Sequence, residues 1–228
     1  MEATDDSAVS DLSWIAWFTT LKGNEYYVEV DDDFVRDNFN LYGLRAVIDN
    51  YDAALEMVLS EDYPDDDDIQ EPGFMAVYRS ASELYSLVHA RFCLTVRGMQ
   101  VIREKYMKAE FGRCPRVLCG EQPVLPMGHS EALGVGKLRM YCPRCMECYV
   151  PKPKYADVDG AGFGPSLPLM FLMTYPSFVP DSLPKYYEAK VFGFRVHGKS
   201  SFVKSKLEGM LEVRKPVPVV RQADSDSF

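Results

Sequence analysis

Six cysteines occur in the 228 residues, and four of them fall in two close pairs: Cys114 and Cys119 in CPRVLC, then Cys142 and Cys145 in CPRC. The pattern is C-x4-C-x22-C-x2-C. Two turns, each presenting a close pair of thiolates, can converge on one tetrahedral ion, and four sulfurs close its coordination sphere with no position open for catalysis. Thiolate sets select zinc or iron–sulfur centres, and zinc is the commoner occupant of a paired-knuckle ribbon. The reading is one structural Zn2+ per chain. A lone CxxC would suit a redox pair as well; two pairs at ribbon spacing favour the metal. Cys148, the third thiol of CPRCMEC, falls on the strand that leaves the second knuckle and is expected to pack rather than ligate. Cys93, within a helical stretch, is expected in the core. A ribbon of about 40 residues buries too little to stand alone, so the ion would supply folding free energy on the order of 10 kcal/mol.

Other motifs carry less chemistry. DGAGFGPS, Asp159 to Ser166, is glycine-rich but lacks the lysine of a phosphate loop, and Pro165 and Pro168 oppose a following helix; a flexible link between domains is expected there. His89, His129 and His197 are scattered and stand in no nucleophile signature, so no catalytic set emerges. Arg113, Arg116, Lys137, Arg139, Arg144, Lys152 and Lys154 are spread through the cysteine region without a dense basic cluster, which argues against nucleic acid as the partner.

The elements that must position the thiols follow from periodicity and punctuation. SWIAWFTTLK, Ser13 to Lys22, has apolar residues at helical spacing, with Ser13 as N-cap and Gly23 as stop. Arg45 to Ser60 repeats apolar positions every three or four residues and predicts an amphipathic helix. EDYPDDDDIQEPG reads as a solvated acidic loop. Phe74 to Ala109 is helical, and Thr95 to Gly98 either caps a second helix or kinks one long one. After Gly112 prolines multiply and a β-containing domain begins. Gly160 to Pro180 carries no charge, yet its four prolines preclude a membrane helix, and a buried strand is expected. Lys190 to His197, KVFGFRVH, alternates as a strand does. The last residues, PVPVVRQADSDSF, look like a frayed tail.

Charge divides the same way. Residues 1–110 hold 23 Asp and Glu against 9 Lys and Arg, whereas residues 111–228 hold 11 against 16. The first half would repel phosphates and attract basic partners. No basic region followed by an apolar core opens the chain, so a cytoplasmic or nuclear location is expected, where clustered cysteines favour metal.

In this setting the sequence resembles the regulatory beta subunit family of casein kinase II. The likeness runs from about Ser13 to His197 through SWIAWF, GNEYYVEV, LYGL, HAR, KYMKAEFGRCPRVLC, LPMG, KLRMYCPRCM and VFGFRVH, in order and with the same cysteine spacing. The resemblance implies a non-catalytic dimer, joined through its zinc domains, that bridges two kinase catalytic chains. It implies Cys114, Cys119, Cys142 and Cys145 as ligands, Pro115, Val117 and Cys148 at the dimer surface, and Phe192, Phe194 and Met170 as kinase contacts. It also assigns Glu61, Asp62, Asp65, Asp66, Asp67 and Asp68 to a loop that senses polyamines or basic proteins. Departures accompany it: Phe192 stands where the family has tyrosine, and Thr4, Ser7 and Ser10 do not match the N-terminal phosphoacceptors. These point to a diverged paralogue.

The expectation is therefore an α+β chain: a helical domain over 1–110, a zinc ribbon over 111–165, a docking hairpin over 166–200 and a tail over 201–228. Its expected work is to dimerise, alone or with another beta chain, bind the catalytic alpha subunit and alter that kinase's stability and substrate choice. A dimer that binds the kinase poorly and serves as decoy or adaptor, a nucleic-acid-binding ribbon and a thiol oxidoreductase are the rivals.

Overall fold

The computed structural model describes residues 12–196 and Lys206; apart from Lys206 the expected tail lies outside these residues, as do His197, Thr4, Ser7 and Ser10. Of the described residues, those up to Lys185 pack as one compact unit, and those from Tyr186 belong to a second.

The first unit begins with α1 (Trp14–Thr20), whose N-cap Ser13 accepts a hydrogen bond from the Ala16 amide as expected. A short helix, α2 (Asp32–Arg36), follows. The helix expected over 45–60 is broken in two. A 3-10 turn, Leu44–Ala46, is separated from α3 (Tyr51–Val58) by Asn50 at φ +48°, a left-handed conformation that no helix interior admits. Within the acidic run, Asp66–Gln70 closes one helical turn, α4, rather than staying a loop throughout. Asp65 and Asp68 exchange side chain to backbone hydrogen bonds across its start.

The long helical stretch resolves into α5 (Phe74–Cys93) and α6 (Val96–Met107). Thr95 Oγ1 caps α6 by accepting from the Gly98 amide. A Cβ at Gly98 would lie 2.1 Å from the Phe92 carbonyl oxygen, so the corner between the helices requires glycine.

Beyond α6 come β1 (Leu125–Met127), β2 (Arg139–Cys142) and β3 (Glu147–Tyr149), an antiparallel meander in that order. Leu125 pairs with Tyr141, and Tyr141 with Cys148. The fold is thus α+β.

Two expectations are overturned after β3. Residues 159–166 are not a flexible link: Gly160–Gly162 forms a buried 3-10 turn capped by Asp159, and it packs on α5. A Cβ at Gly162 would lie 2.6 Å from the Tyr27 hydroxyl, and one at Gly128 only 2.1 Å from the Gly160 carbonyl oxygen, so these glycines serve close approach. The apolar run after them is a helix, α7 (Leu167–Thr174), rather than a strand. Pro168 sits in its first turn, where a missing N–H costs nothing. Among the described residues, no helix is long and apolar enough to cross a membrane.

One continuous core joins the helices to the meander. Trp14 stacks on Phe18 and meets Tyr85 edge-on. Tyr26 stacks on Tyr155 at 3.6 Å and donates its hydroxyl to the Phe111 carbonyl. Lys154 pairs with Glu25 at 2.7 Å. His89 is fully buried; its Nδ1 lies 2.5 Å from the Gly162 carbonyl, and its Nε2 accepts from the Val28 amide. Those partners fix a neutral ring protonated at Nδ1. Cys93 is buried against the same imidazole, as a core cysteine should be.

In the second unit, β4 (Lys190–Val191) and β5 (Phe194–Arg195) form a two-residue hairpin, so the expected single strand folds back on itself.

Candidate metal centre

Two turns build the centre. Cys114 is fixed by its amide, which donates to Gln122 O at 2.8 Å, while Gln122 Nε2 donates to the Tyr106 hydroxyl on α6. A 3-10 turn, Val117–Cys119, then carries Cys119, and Gly120 follows at φ +59°. In the second turn Cys142 ends β2, Cys145 lies in the bend before β3, and Met146 follows at φ +57°. The residue after each pair's second cysteine is therefore left-handed in both turns; one is glycine and the other a strained methionine.

The four sulfurs of Cys114, Cys119, Cys142 and Cys145 all lie within 4.8 Å of one another, and all four residues are buried. Cys114 and Cys145 are 3.9 Å apart. A Zn–S bond of about 2.3 Å sets the edges of a tetrahedron at about 3.8 Å. The spacing fits one ion and is far too long for disulfides, in agreement with four free thiols.

The surroundings treat the four sulfurs unequally. Cys142 accepts from the backbone amides of Cys145 and Arg144. Cys145 Sγ lies 3.2 Å from the Tyr149 hydroxyl. Burial pushes the Cys145 thiol up, but hydrogen bonds from Tyr149 and its neighbours outweigh it and bring the group down to about 7. Burial, with neighbouring sulfurs, raises Cys119 to about 11 and holds Cys142 well above the usual thiol range. Four anionic sulfurs at this spacing require a cation between them. Arg144 Nη1 donates to the Cys119 carbonyl at 2.8 Å, tying one turn to the other.

Of the other expected site residues, Pro115 and Val117 are exposed beside the first cysteine pair, Val117 at 89%. Cys148 stands outside the sulfur cluster; within the chain it is exposed rather than packed, 3.9 Å from Met127 Sδ. Glu61, Asp62, Asp65 and Asp68 are exposed. Met170 is partly exposed on α7, next to exposed Leu169. In the second unit Phe192 and Phe194 are 96% and 80% exposed. Phe192 does not lie on a strand: with Gly193 it forms the turn, at φ +47° and +83°, the signature of a type I′ hairpin.

Tyr149 and Gln122 did not stand out in the sequence, and Arg144 was weighed only as a basic residue for nucleic acid. Tyr149 lies four residues beyond Cys145, close enough to have been tested as a donor to sulfur.

Comparison with known proteins decides the relationship. The model of the family described as casein kinase II regulatory subunit matches residues 13–195. The chain belongs to the casein kinase II regulatory subunit family. It is 42% identical over 214 residues to casein kinase II subunit beta of Dictyostelium discoideum, covering 93% of this chain and 77% of that one. It is 42% identical over 195 residues to casein kinase II subunit beta of Schizosaccharomyces pombe, covering 85% and 83%. To casein kinase II subunit beta' of Drosophila melanogaster it is 41% identical over 186 residues, covering 81% and 84%. The family match contains all four clustered cysteines and the hairpin residues Phe192 and Phe194.

Proposed function

We propose that this chain is a non-catalytic subunit that dimerises through a zinc-bound ribbon, docks the catalytic subunit of casein kinase II and changes that enzyme's stability and substrate choice. The observation that carries the reading is the buried four-sulfur cluster inside a chain that matches the regulatory family across 13–195. One Zn2+ per chain would be held by Cys114, Cys119, Cys142 and Cys145. Its chemistry is structural, since four thiolates leave no site for substrate.

Exposed Pro115, Val117 and Cys148, with exposed Met146 and Val150 nearby in sequence, supply apolar surface for a second beta chain, identical or related. Two nearly bare aromatic rings on the hairpin are costly in water and suit a groove in the kinase, where a few anchors dominate affinity. Met170 adds an exposed thioether on α7. The assembly would hold two catalytic and two regulatory chains in the cytoplasm or nucleus, with the carboxylates from Glu61 to Asp68 drawing polyamines or basic proteins.

Co-purification of the full chain with the casein kinase II catalytic subunit tests this. Phe192→Ala/Phe194→Ala should lower capture by roughly 30-fold, the effect of losing about 2 kcal/mol at a hot spot, while dimer mass and zinc content stay unchanged. Equally weak capture by wild type and the double variant would hand the function to the decoy reading.

A further inference from the structure

In the second cysteine turn a side chain other than cysteine reaches a sulfur directly. Tyr149 ends β3, pairs with Met140 of β2, and packs half-buried against the core. Alternation along the strand sends Cys148 and Tyr149 to opposite faces, so the exposed thiol and the phenol serve different surfaces. The Tyr149 hydroxyl oxygen lies 3.2 Å from Cys145 Sγ, and the same hydroxyl interacts with Cys114. Those two sulfurs are 3.9 Å apart and belong to different cysteine pairs. The phenol therefore stands by an edge of the sulfur cluster that joins one turn to the other.

The chemistry of a metal-bound sulfur decides which atom donates. A ligating cysteine has given up its proton and can only accept, whereas a phenol keeps its proton up to about pH 10. The hydroxyl is then the donor and Cys145 the acceptor. A hydrogen bond to a charged acceptor is roughly twice as strong as one between neutral groups. Four thiolates around one divalent cation also leave an excess of negative charge among buried residues, where such an excess is costly unless donors meet it. Arg144 acts otherwise, since its guanidinium donates to the Cys119 carbonyl and fixes the turn without touching a sulfur in that contact.

We propose that Tyr149 is a positioning residue of the metal centre: its hydroxyl orients the Cys145 thiolate and offsets part of the cluster's negative charge, and it raises metal affinity by acting through that sulfur. The proposal rests on reading the centre as a zinc site.

Three forms of the full chain test it beside the wild type. Tyr149→Phe removes the hydroxyl and keeps the ring, Tyr149→Leu removes both, and fluorotyrosine placed at position 149 keeps both. Zinc affinity is measured by competition with a chromophoric chelator, and the environment of the sulfurs by NMR of the cadmium-loaded protein. Tyr149→Phe should bind zinc about tenfold more weakly and displace the cadmium resonance, while fluorotyrosine holds wild-type affinity. A ring that only packs would leave Tyr149→Phe equal to the wild type and weaken Tyr149→Leu alone, and that result overturns the proposal. So does a loss of affinity in Tyr149→Phe that leaves the cadmium resonance in place or that fluorotyrosine shares. Should Tyr149→Phe fail to fold, the cadmium-loaded wild type decides: a Tyr149 hydroxyl proton slow to exchange with water supports the bond, and one that exchanges freely overturns it. A wild type that takes up no stoichiometric metal would overturn the zinc reading as well, whereas a loaded wild type matched by Tyr149→Phe overturns the role of the hydroxyl alone.

Discussion

The guanidinium of Arg144, from within the second cysteine pair, donates to the backbone carbonyl of Cys119, the last sulfur of the first pair. This bond ties the two turns together, and the Arg144 Nε is buried without a partner among the described residues. Groups that orient ligands in this way commonly set metal affinity within 10–100-fold. Arg144→Ala should therefore weaken zinc binding by about tenfold, measured by competition with a chromophoric chelator. Unchanged affinity would reduce the contact to packing.

Removing a ligand should have a larger effect. Cys142→Ser, or chelation of the wild type, is expected to melt β1 to β3 and abolish the dimer, because metal binding at such sites is folding free energy. Elemental analysis with light scattering checks it; a metal-free chain that still dimerises would refute the structural role of the ion.

His89 makes stability depend on pH. Burial, the first cause, outweighs the Gly162 hydrogen bond and lowers its pKa from the ordinary 6.5 to about 4. The folded state keeps the ring neutral while the unfolded chain protonates it below 6.5, so stability is complete above that value and declines as pH falls toward 4. The loss would reach about 3 kcal/mol. His89→Gln can replace both hydrogen bonds without titrating. The wild-type minus variant difference in urea midpoint should shrink across this window, and a constant difference would contradict the assignment.

Close approach at glycines grades two further substitutions. At Gly162 an added methyl meets the Tyr27 side chain, which can move, and a cost of about 1–3 kcal/mol is expected. At Gly128 it meets the backbone of Gly160 at 2.1 Å and 2.6 Å, which cannot yield without separating the two segments. Thermal melts should rank Gly128→Ala below Gly162→Ala.

The hairpin offers a separation of shape from contact. Asn tolerates left-handed backbone far better than Phe, and Asn-Gly is a favoured pair for this turn. Phe192→Asn should keep or strengthen the β4–β5 pairing, seen by cross-strand NMR contacts, while capture of the catalytic subunit falls. Full capture by this variant would leave Phe194 as the sole anchor.

Much of the centre was legible because coordination geometry dictates spacing: C-x4-C and C-x2-C announce turns that face one ion, and the four sulfurs do converge. The cap at Ser13 was legible too, since a hydroxyl before an apolar period satisfies amides that the helix leaves open, whereas Thr95 to Gly98 left a cap and a kink equally open until the structure showed the cap. Helix α7 was not, because an apolar run with four prolines nearby gives no period, and Pro168 falls at the one place where a helix accepts it. Gly160 to Gly162 mimicked a linker; only the Tyr27 ring and the Gly128 backbone above them show that small size, rather than flexibility, is being used. Phe192 hid the turn because an aromatic residue rarely sits in left-handed backbone, and tertiary packing cannot be read from its type.

Cys114 and Cys119 precede β1, whereas Cys142 ends, and Cys145 follows, the strand that pairs with it. The four sulfurs are thus brought together only as that antiparallel register forms, so capture of an ion would coincide with completion of the sheet. A cell short of the metal would then accumulate chains that have gathered their helices but lack the finished surface for association, so supply of the ion, and not synthesis of the polypeptide, would set how much assembled product appears.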